Sequence, residues 1–226
     1  NGQRVRKVRR AKTHGGEHIS EVMYLPGLEI RTHSLGEVRH VLSAQTGRNS
    51  ICLLHWVNGL PPGADNDQWR YSLTDHLGSN TLELDATGQL ISQETYYPFG
   101  GTSWWAARSA VHAKYKTRRY SGKEHDATGL YYYGARYFAP WLQRWINPDP
   151  AGTLDGLNRY RMLRNNPLRF VDEDGNVAKE VEEAYSHMVN QGEAWEGLRS
   201  RGDPFSAVRE LSGENIMNLR QNLELS

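Results

Sequence analysis

The sequence predicts a mainly β chain built from short antiparallel strands. Three observations predict it. Tyrosine, tryptophan and glycine are abundant, at 12, 7 and 22 of 226 residues. Apolar and polar residues alternate over short runs, and Gly, Asp and Asn turn signals separate those runs at near-regular spacing. Taken in order, Val5 to Val8 alternates and His14-Gly15-Gly16-Glu17 is a turn before Ser20 to Tyr24. Pro26-Gly27 turns the chain into Leu28 to Thr32; Glu37 to Ser43 follows, and Thr46-Gly47 leads to Ser50 to Val57. A polar loop with Pro61, Pro62 and Gly63 precedes Trp69 to Thr74. Asp75 to Ser79 and Asp85-Ala86-Thr87-Gly88 are Asp/Gly turns, leading into Thr81 to Leu84 and Leu90 to Tyr97. Aspartate suits such turns because its carboxylate bonds the backbone just ahead, and glycine because it tolerates positive φ.

Ser103 to Lys116, with Ala106, Ala107, Ala110 and Ala113, predicts a short helix capped by Ser103. Strands resume at Arg118 to Ser121, Leu130 to Tyr133, Arg136 to Phe138 and Gln143 to Ile146. Asn158 to Arg164 predicts a second short helix, stopped at Asn165-Asn166-Pro167. The character changes near residue 176. Beyond it Val181, Ala184, Tyr185 and Met188, and later Ile216, Leu219 and Leu223, fall at helical spacing, so a helical C-terminal segment is expected there.

A formal net charge of +1 gives no global attraction to nucleic acid or an anionic membrane. Arg4, Arg6, Lys7, Arg9 and Arg10 alternate with Val5 and Val8 and read as the polar face of a strand. Cys52 is the one cysteine, so an internal disulfide is excluded; in Ile51-Cys52-Leu53-Leu54 it reads as a small buried apolar residue. No apolar run is long enough for a helical membrane span. The chain begins Asn1-Gly2-Gln3 without a methionine or signal peptide, and is expected to be a piece of a longer protein. The 9 histidines show no metal-ligand spacing on a regular element, no Gly-x-x-x-x-Gly-Lys phosphate loop is present and Gly-x-Ser-x-Gly is absent, so no cofactor or metal is expected. From spacing alone, Asp149 before Pro150 reads as a turn former, Asp172 to Gly175 as an acidic loop and Arg136 as a packing residue between tyrosines. The Tyr131-Tyr132-Tyr133 run reads as sheet core.

Several motifs carry a resemblance. They are Asn1 to Val8; Tyr71 to Ser79; Tyr96-Tyr97-Pro98-Phe99-Gly100-Gly101; Arg119-Tyr120-Ser121-Gly122-Lys123-Glu124; Asp126 to Tyr137; Asn147-Pro148-Asp149-Pro150; and Asn158 to Pro167, with Trp104-Trp105-Ala106-Ala107-Arg108-Ser109 between them. Together they resemble the Rhs/YD-repeat proteins, specifically the repeat-associated core of the C subunit of bacterial toxin complexes, over residues 1 to about 176. The resemblance implies YD-repeat shell strands over 1–100, a core plug over 101–176 and the start of a variable cargo over 177–226. It implies partners: the rest of its own shell, a B-type shell subunit, a pore-forming A-type subunit and the encapsulated cargo. It also implies a bacterial toxin delivered outside its cell of origin. In this family the core is an aspartic autoprotease. By resemblance Asp149 and Asp172 are its carboxylates, Arg136 holds a carboxylate or stabilises the oxyanion, and the cut falls between Asn176 and Val177. Peptide hydrolysis by carboxylates needs one as base on water and one as acid. The relatives carry Asp-Pro-x-Gly-Leu where this chain has Glu173 and Asn176. Glu173 is expected to put a charge beside the pair, and Asn176 an amide where an apolar side chain is expected. Two other readings stand: a purely structural encapsulation module, and part of an effector whose activity lies in 177–226.

Overall fold

The computed structural model describes residues 4–181 except 15, 47, 48 and 155, all within a unit spanning residues 1–184. Of the helical segment expected over 177–226, Lys179–Glu180 is strand rather than helix, drawn into pairing with Phe170–Val171, and the residues beyond Val181 lie outside the described ones.

The first part of the chain is a meander. Strands β1 (Arg6–Thr13), β2 (Gly16–Leu25), β3 (Leu28–His33), β4 (Val38–Thr46), β5 (Asn49–Asn58), β6 (Gln68–Thr74), β7 (Asn80–Leu84), β8 (Leu90–Tyr96) and β9 (Thr102–Ala107) form one nine-stranded sheet in sequence order. Every neighbouring pair is antiparallel. The turns are built as the sequence predicts. Asp75 Oδ1 accepts from the N–H groups of Leu77 and Ser79 at 2.9 and 2.8 Å, and Asp85 Oδ1 from those of Thr87 and Gln89 at 2.9 and 3.0 Å.

One face of this sheet is covered by residues 110–126, and the buried groups on it are largely polar. Ser72, Glu83 and Ser92 lie side by side across β6, β7 and β8, and all are buried. Arg70 and Glu94 are fully buried. Arg70 reaches Glu83 at 3.5 Å and the His112 carbonyl at 3.2 Å. Glu94 receives Arg119 at 2.7 Å and the buried Lys116 at 3.2 Å. The basic cluster in and just before β1 joins in: Arg4 donates to Glu124 at 2.6 Å and to Asp126 at 2.7 Å, and Lys7 to both carboxylates. The apolar part is small, with Val41, Leu54, Trp56 and Tyr115 packed together. Cys52 is half-buried, and burial pushes its thiol up to about 12, which makes it a packing group rather than a nucleophile.

The second part is smaller and aromatic. Strands β10 (Glu124–His125), β11 (Tyr131–Tyr132), β12 (Tyr137–Ala139) and β13 (Arg144–Trp145) form a four-stranded antiparallel sheet, and β14 (Phe170–Val171) pairs with β15 (Lys179–Glu180). Its core gathers Leu77, Tyr120, Tyr131, Tyr133, Phe138, Trp145, Met162, Leu163, Phe170 and Ala178. Tyr131 and Tyr133 are core residues, as the sequence predicts, and Tyr132 lies under the Arg4 guanidinium at 4.1 Å.

Three further expectations are corrected. Trp104 to Ala107 is strand, not helix; α1 (Ala110–Lys114) begins later, and its cap is Ser109, not Ser103. The open edge of β8 supplies backbone partners that outweigh the helix propensity of Ala106 and Ala107. Asn158 to Arg164 is not a helix: Leu163, Arg164 and Asn165 hold φ of 49, 52 and 62°, so the chain turns left-handed while Met162 and Leu163 enter the core. Arg118 to Ser121 is not a strand either; Arg118 makes one bridge to Glu124, and Tyr120–Gly122 is a 3₁₀ turn.

Candidate functional site

The aromatic core positions a charged group that it cannot leave unpaired. Arg136 sits in the loop between β11 and β12 and is buried. Trp145, from β13, lies 4.2 Å from its guanidinium carbon and stands edge-on to Tyr133. A guanidinium buried among rings is stable only with its fork satisfied. Its side-chain hydrogen bonds reach two loops. Nη1 donates to Asp149 Oδ2 at 2.9 Å and Nη2 to Asp172 Oδ2 at 3.4 Å. Nε donates to the Gly175 carbonyl at 2.5 Å and Nη2 to the Asn176 carbonyl at 3.2 Å. The five residues named from the sequence motifs are thereby located: Arg136, Asp149, Asp172 and Asn176 share one cluster, and Val177, next along the chain, is 38% exposed.

Each carboxylate is fixed by its own turn. Asp149 follows β13; its Oδ1 accepts from the Ala151 N–H at 2.8 Å, and its carbonyl accepts from Arg159 at 2.9 Å. Asp172 follows β14, and its Oδ1 accepts from the N–H groups of Asp174, Gly175 and Asn176 at 3.2, 2.7 and 3.2 Å. Two glycines let this loop lie against the Arg136 hairpin. A Cβ on Gly134 would come within 3.0 Å of the Asp174 carbonyl oxygen, and one on Gly175 within 3.0 Å of the Arg136 nitrogen; both have positive φ.

The electrostatics of Asp172 are distinctive. Burial raises its pKa to about 6 and the Asp174 carboxylate adds to the rise, against the pull of the Gly175 N–H and Arg136. Near neutrality its carboxyl is therefore poised to hold or release a proton. Glu173 does not crowd the pair as expected: its side chain is 42% exposed and its Oε2 lies 3.4 Å from Lys179. The like charge that bears on Asp172 is that of Asp174. Sequence reasoning gave Trp145, Asp174 and Arg159 no role at the site, because only the folded turns bring each against Arg136, Asp172 or Asp149.

Among the described residues no group of three or more His, Cys, Asp or Glu side chains could hold a metal. The arrangement can nonetheless do chemistry. Two carboxyls meet one guanidinium, which in turn touches the carbonyl of the Asn176–Val177 peptide bond.

No protein-family model matches the chain. Over 178 residues it is 51% identical to the toxin subunit YenC2 of Yersinia entomophaga, an alignment that covers 76% of this chain. The chain spans 18% of the length of that relative. The crystal structure of TcdB2-TccC3 without its hypervariable C-terminal region is similar at a TM-score of 0.74 and 51% identity, covering 77% of this chain and 8% of that one. The Photorhabdus luminescens Tc holotoxin pore carrying an aspartate-to-alanine mutation in TccC3 matches at a TM-score of 0.75 and 49% identity, over 79% of this chain and 8% of that one.

Proposed function

Given that this chain belongs to the Rhs/YD-repeat proteins of the bacterial toxin-complex C-subunit kind, we propose that it closes a toxin-encapsulating shell and cuts itself once, after Asn176, to free the segment that follows. Residues 1–100 contribute shell strands, 101–176 the plug and protease, and 177–226 the start of the cargo. The assembly it serves combines the remainder of its own shell, a B-type shell subunit and a pore-forming A-type subunit, and is delivered outside the producing bacterium. Relatives solved together with TcdB2 and as a holotoxin pore support those partners.

The single observation that carries the protease reading is the fork of Arg136, which joins Asp149, Asp172 and the Asn176 carbonyl. A water molecule attacks the Asn176 carbonyl carbon and gives a proton to Asp149. The developing oxyanion stays on Arg136 Nη2, which already donates to that oxygen. Asp172 delivers its proton to the Val177 nitrogen as the C–N bond breaks, leaving a new amine on Val177 and a new carboxylic acid on Asn176, whose proton passes to the ionised Asp172 while Asp149 returns the other to solvent. A pKa of about 6 suits that acid role.

The test is the intact mass and denaturing gel of the purified protein. We expect two pieces parted after Asn176, with the cleavage rate reduced about 10²–10⁴-fold in Asp149→Ala. A single full-length species at every pH and incubation time overturns the protease and leaves the encapsulation role alone.

A further inference from the structure

The segment that ends at the proposed cut is held at every carbonyl. The Glu173 carbonyl accepts from Lys123 Nζ at 2.5 Å, that of Asp174 from the Ala135 N–H at 2.9 Å, and those of Gly175 and Asn176 from Arg136. The N–H groups of 174, 175 and 176 all turn to Asp172 Oδ1. Three of these holders belong to the reading already given or to the backbone. Lys123 does not. It lies in the other loop system, just after the 3₁₀ turn Tyr120–Gly122.

A lysine ammonium is strongly hydrated, and drawing it from water is costly unless fixed acceptors and opposite charges take the water's place. Here Nζ is 5.2 Å from the centroid of the buried Tyr133 ring and donates to a backbone carbonyl. The charged groups that act on it are Asp172, Glu173 and Asp174, with Arg118 opposing. Burial lowers its pKa, and the strongest opposing pull comes from Asp172. The groups acting on Asp172 in turn are Arg136, Asp174, Lys123 itself and, across the same fork, Asp149.

We propose that Lys123 is a positioning residue for self-cleavage: its ammonium pins the Glu173 carbonyl, so that the strand to be cut stays on Arg136, and its charge bears on the Asp172 carboxyl. The inference rests on the protease reading. It assigns two separable duties to one group, a hydrogen bond to the strand and a positive charge beside the acid. Lys123→Gln keeps a donor and removes the charge. Lys123→Met removes both. Lys123→Arg keeps both on a different fork.

The experiment follows first-order cleavage of the full chain from pH 5 to 9 in wild type and the three variants, with folding checked by circular dichroism. Without the charge, Asp172 keeps its proton to higher pH, so the alkaline limb moves up by about half a pH unit in both Gln and Met variants. The maximal rate falls about tenfold in Met and less in Gln, and Arg restores the wild-type limb. A purely structural lysine would lower the rate or the stability with the limb unmoved. If Met does not fold, the Gln and Arg curves decide. If wild type cleaves and the Gln and Arg limbs coincide with it, the role of Lys123 is overturned while the protease stands. If wild type does not cleave at any pH, the protease reading fails and takes this one with it.

Discussion

The two halves of the molecule bury charge under opposite rules. Behind the nine-stranded sheet, carboxylates are matched by more than one cation. Glu94 has Lys116 and Arg119, and Glu124 has Arg4, Lys7 and Arg31. Burial alone would push Glu124 up, yet Arg31 and Lys7 bring it down to about 2. In the aromatic core the ratio inverts: one guanidinium serves two carboxyls, too little to offset the burial that raises Asp172 to about 6. A surplus of cations holds the first set permanently ionised, as a structural joint requires. A shortage of them leaves a proton within reach in the second, as an acid requires. Buried acidic and basic side chains therefore make a fastening in one place and a reactive centre in the other, and the ratio of cations to carboxyls separates the two.

The largest effect that would break this comparison is on stability. Glu94→Ala leaves Lys116, fully buried as a side chain, and Arg119 without their carboxylate. It should cost about 3–5 kcal/mol by urea denaturation. Its polar partners (Tyr96, Thr102, Lys116 and Arg119) are all outside the Arg136 cluster, so the protein that remains folded should cleave at the wild-type rate. Loss of cleavage without loss of stability would show that the two regions are not independent.

The next concerns pH, and its sign follows from the depressed pKa of Glu124. A carboxylate held near 2 in the folded chain and at 4.5 when unfolded stabilises the fold above 4.5, and that contribution is lost as the pH falls through 2. The difference is worth about 3 kcal/mol. The stability gap between wild type and Glu124→Gln should be full at pH 6 and should close between pH 4.5 and 2. Asp172 has the opposite sign: its raised pKa makes the folded state less stable as pH rises from about 4 to 6. A gap for Glu124→Gln that stays constant with pH would place its worth in packing rather than charge.

What the sequence made legible follows the same division. The meander was readable up to β8 because its strands carry their own alternation and its turns their own Asp and Gly, so Asp75 and Asp85 could be assigned from neighbours four residues away or fewer. The small sheet was less so. Two-residue strands such as Glu124–His125 and Phe170–Val171 are too short to show a period, and tertiary contacts fix them. Arg136, Asp149 and Asp172 could be named through the family resemblance, but their spacing said nothing of a shared guanidinium. Glu173 was misjudged for a related reason. Adjacency in sequence suggested adjacency to the pair, whereas the turn after Asp172 sends its side chain out to Lys179.

The smallest prediction sharpens where the meander ends. Ser109 is in extended conformation, with φ −155° and ψ 165°, and its Oγ accepts from the His112 N–H at 3.3 Å. That is an N-cap, and it fixes the point at which β9 stops and α1 begins. Ser103, the second residue of β9, pairs its hydroxyl with Thr95 at 2.8 Å across β8 and β9 instead. Ser109→Ala should therefore cost about 1 kcal/mol, and Ser103→Ala less than half of that, since an exposed cross-strand hydroxyl pair contributes little. Both variants should self-cleave as wild type does, because the five-residue helix touches the charged face, through the His112 carbonyl on Arg70, and not the Arg136 cluster. Equal costs at the two serines would return the helix start to Ser103, and the tryptophans with it.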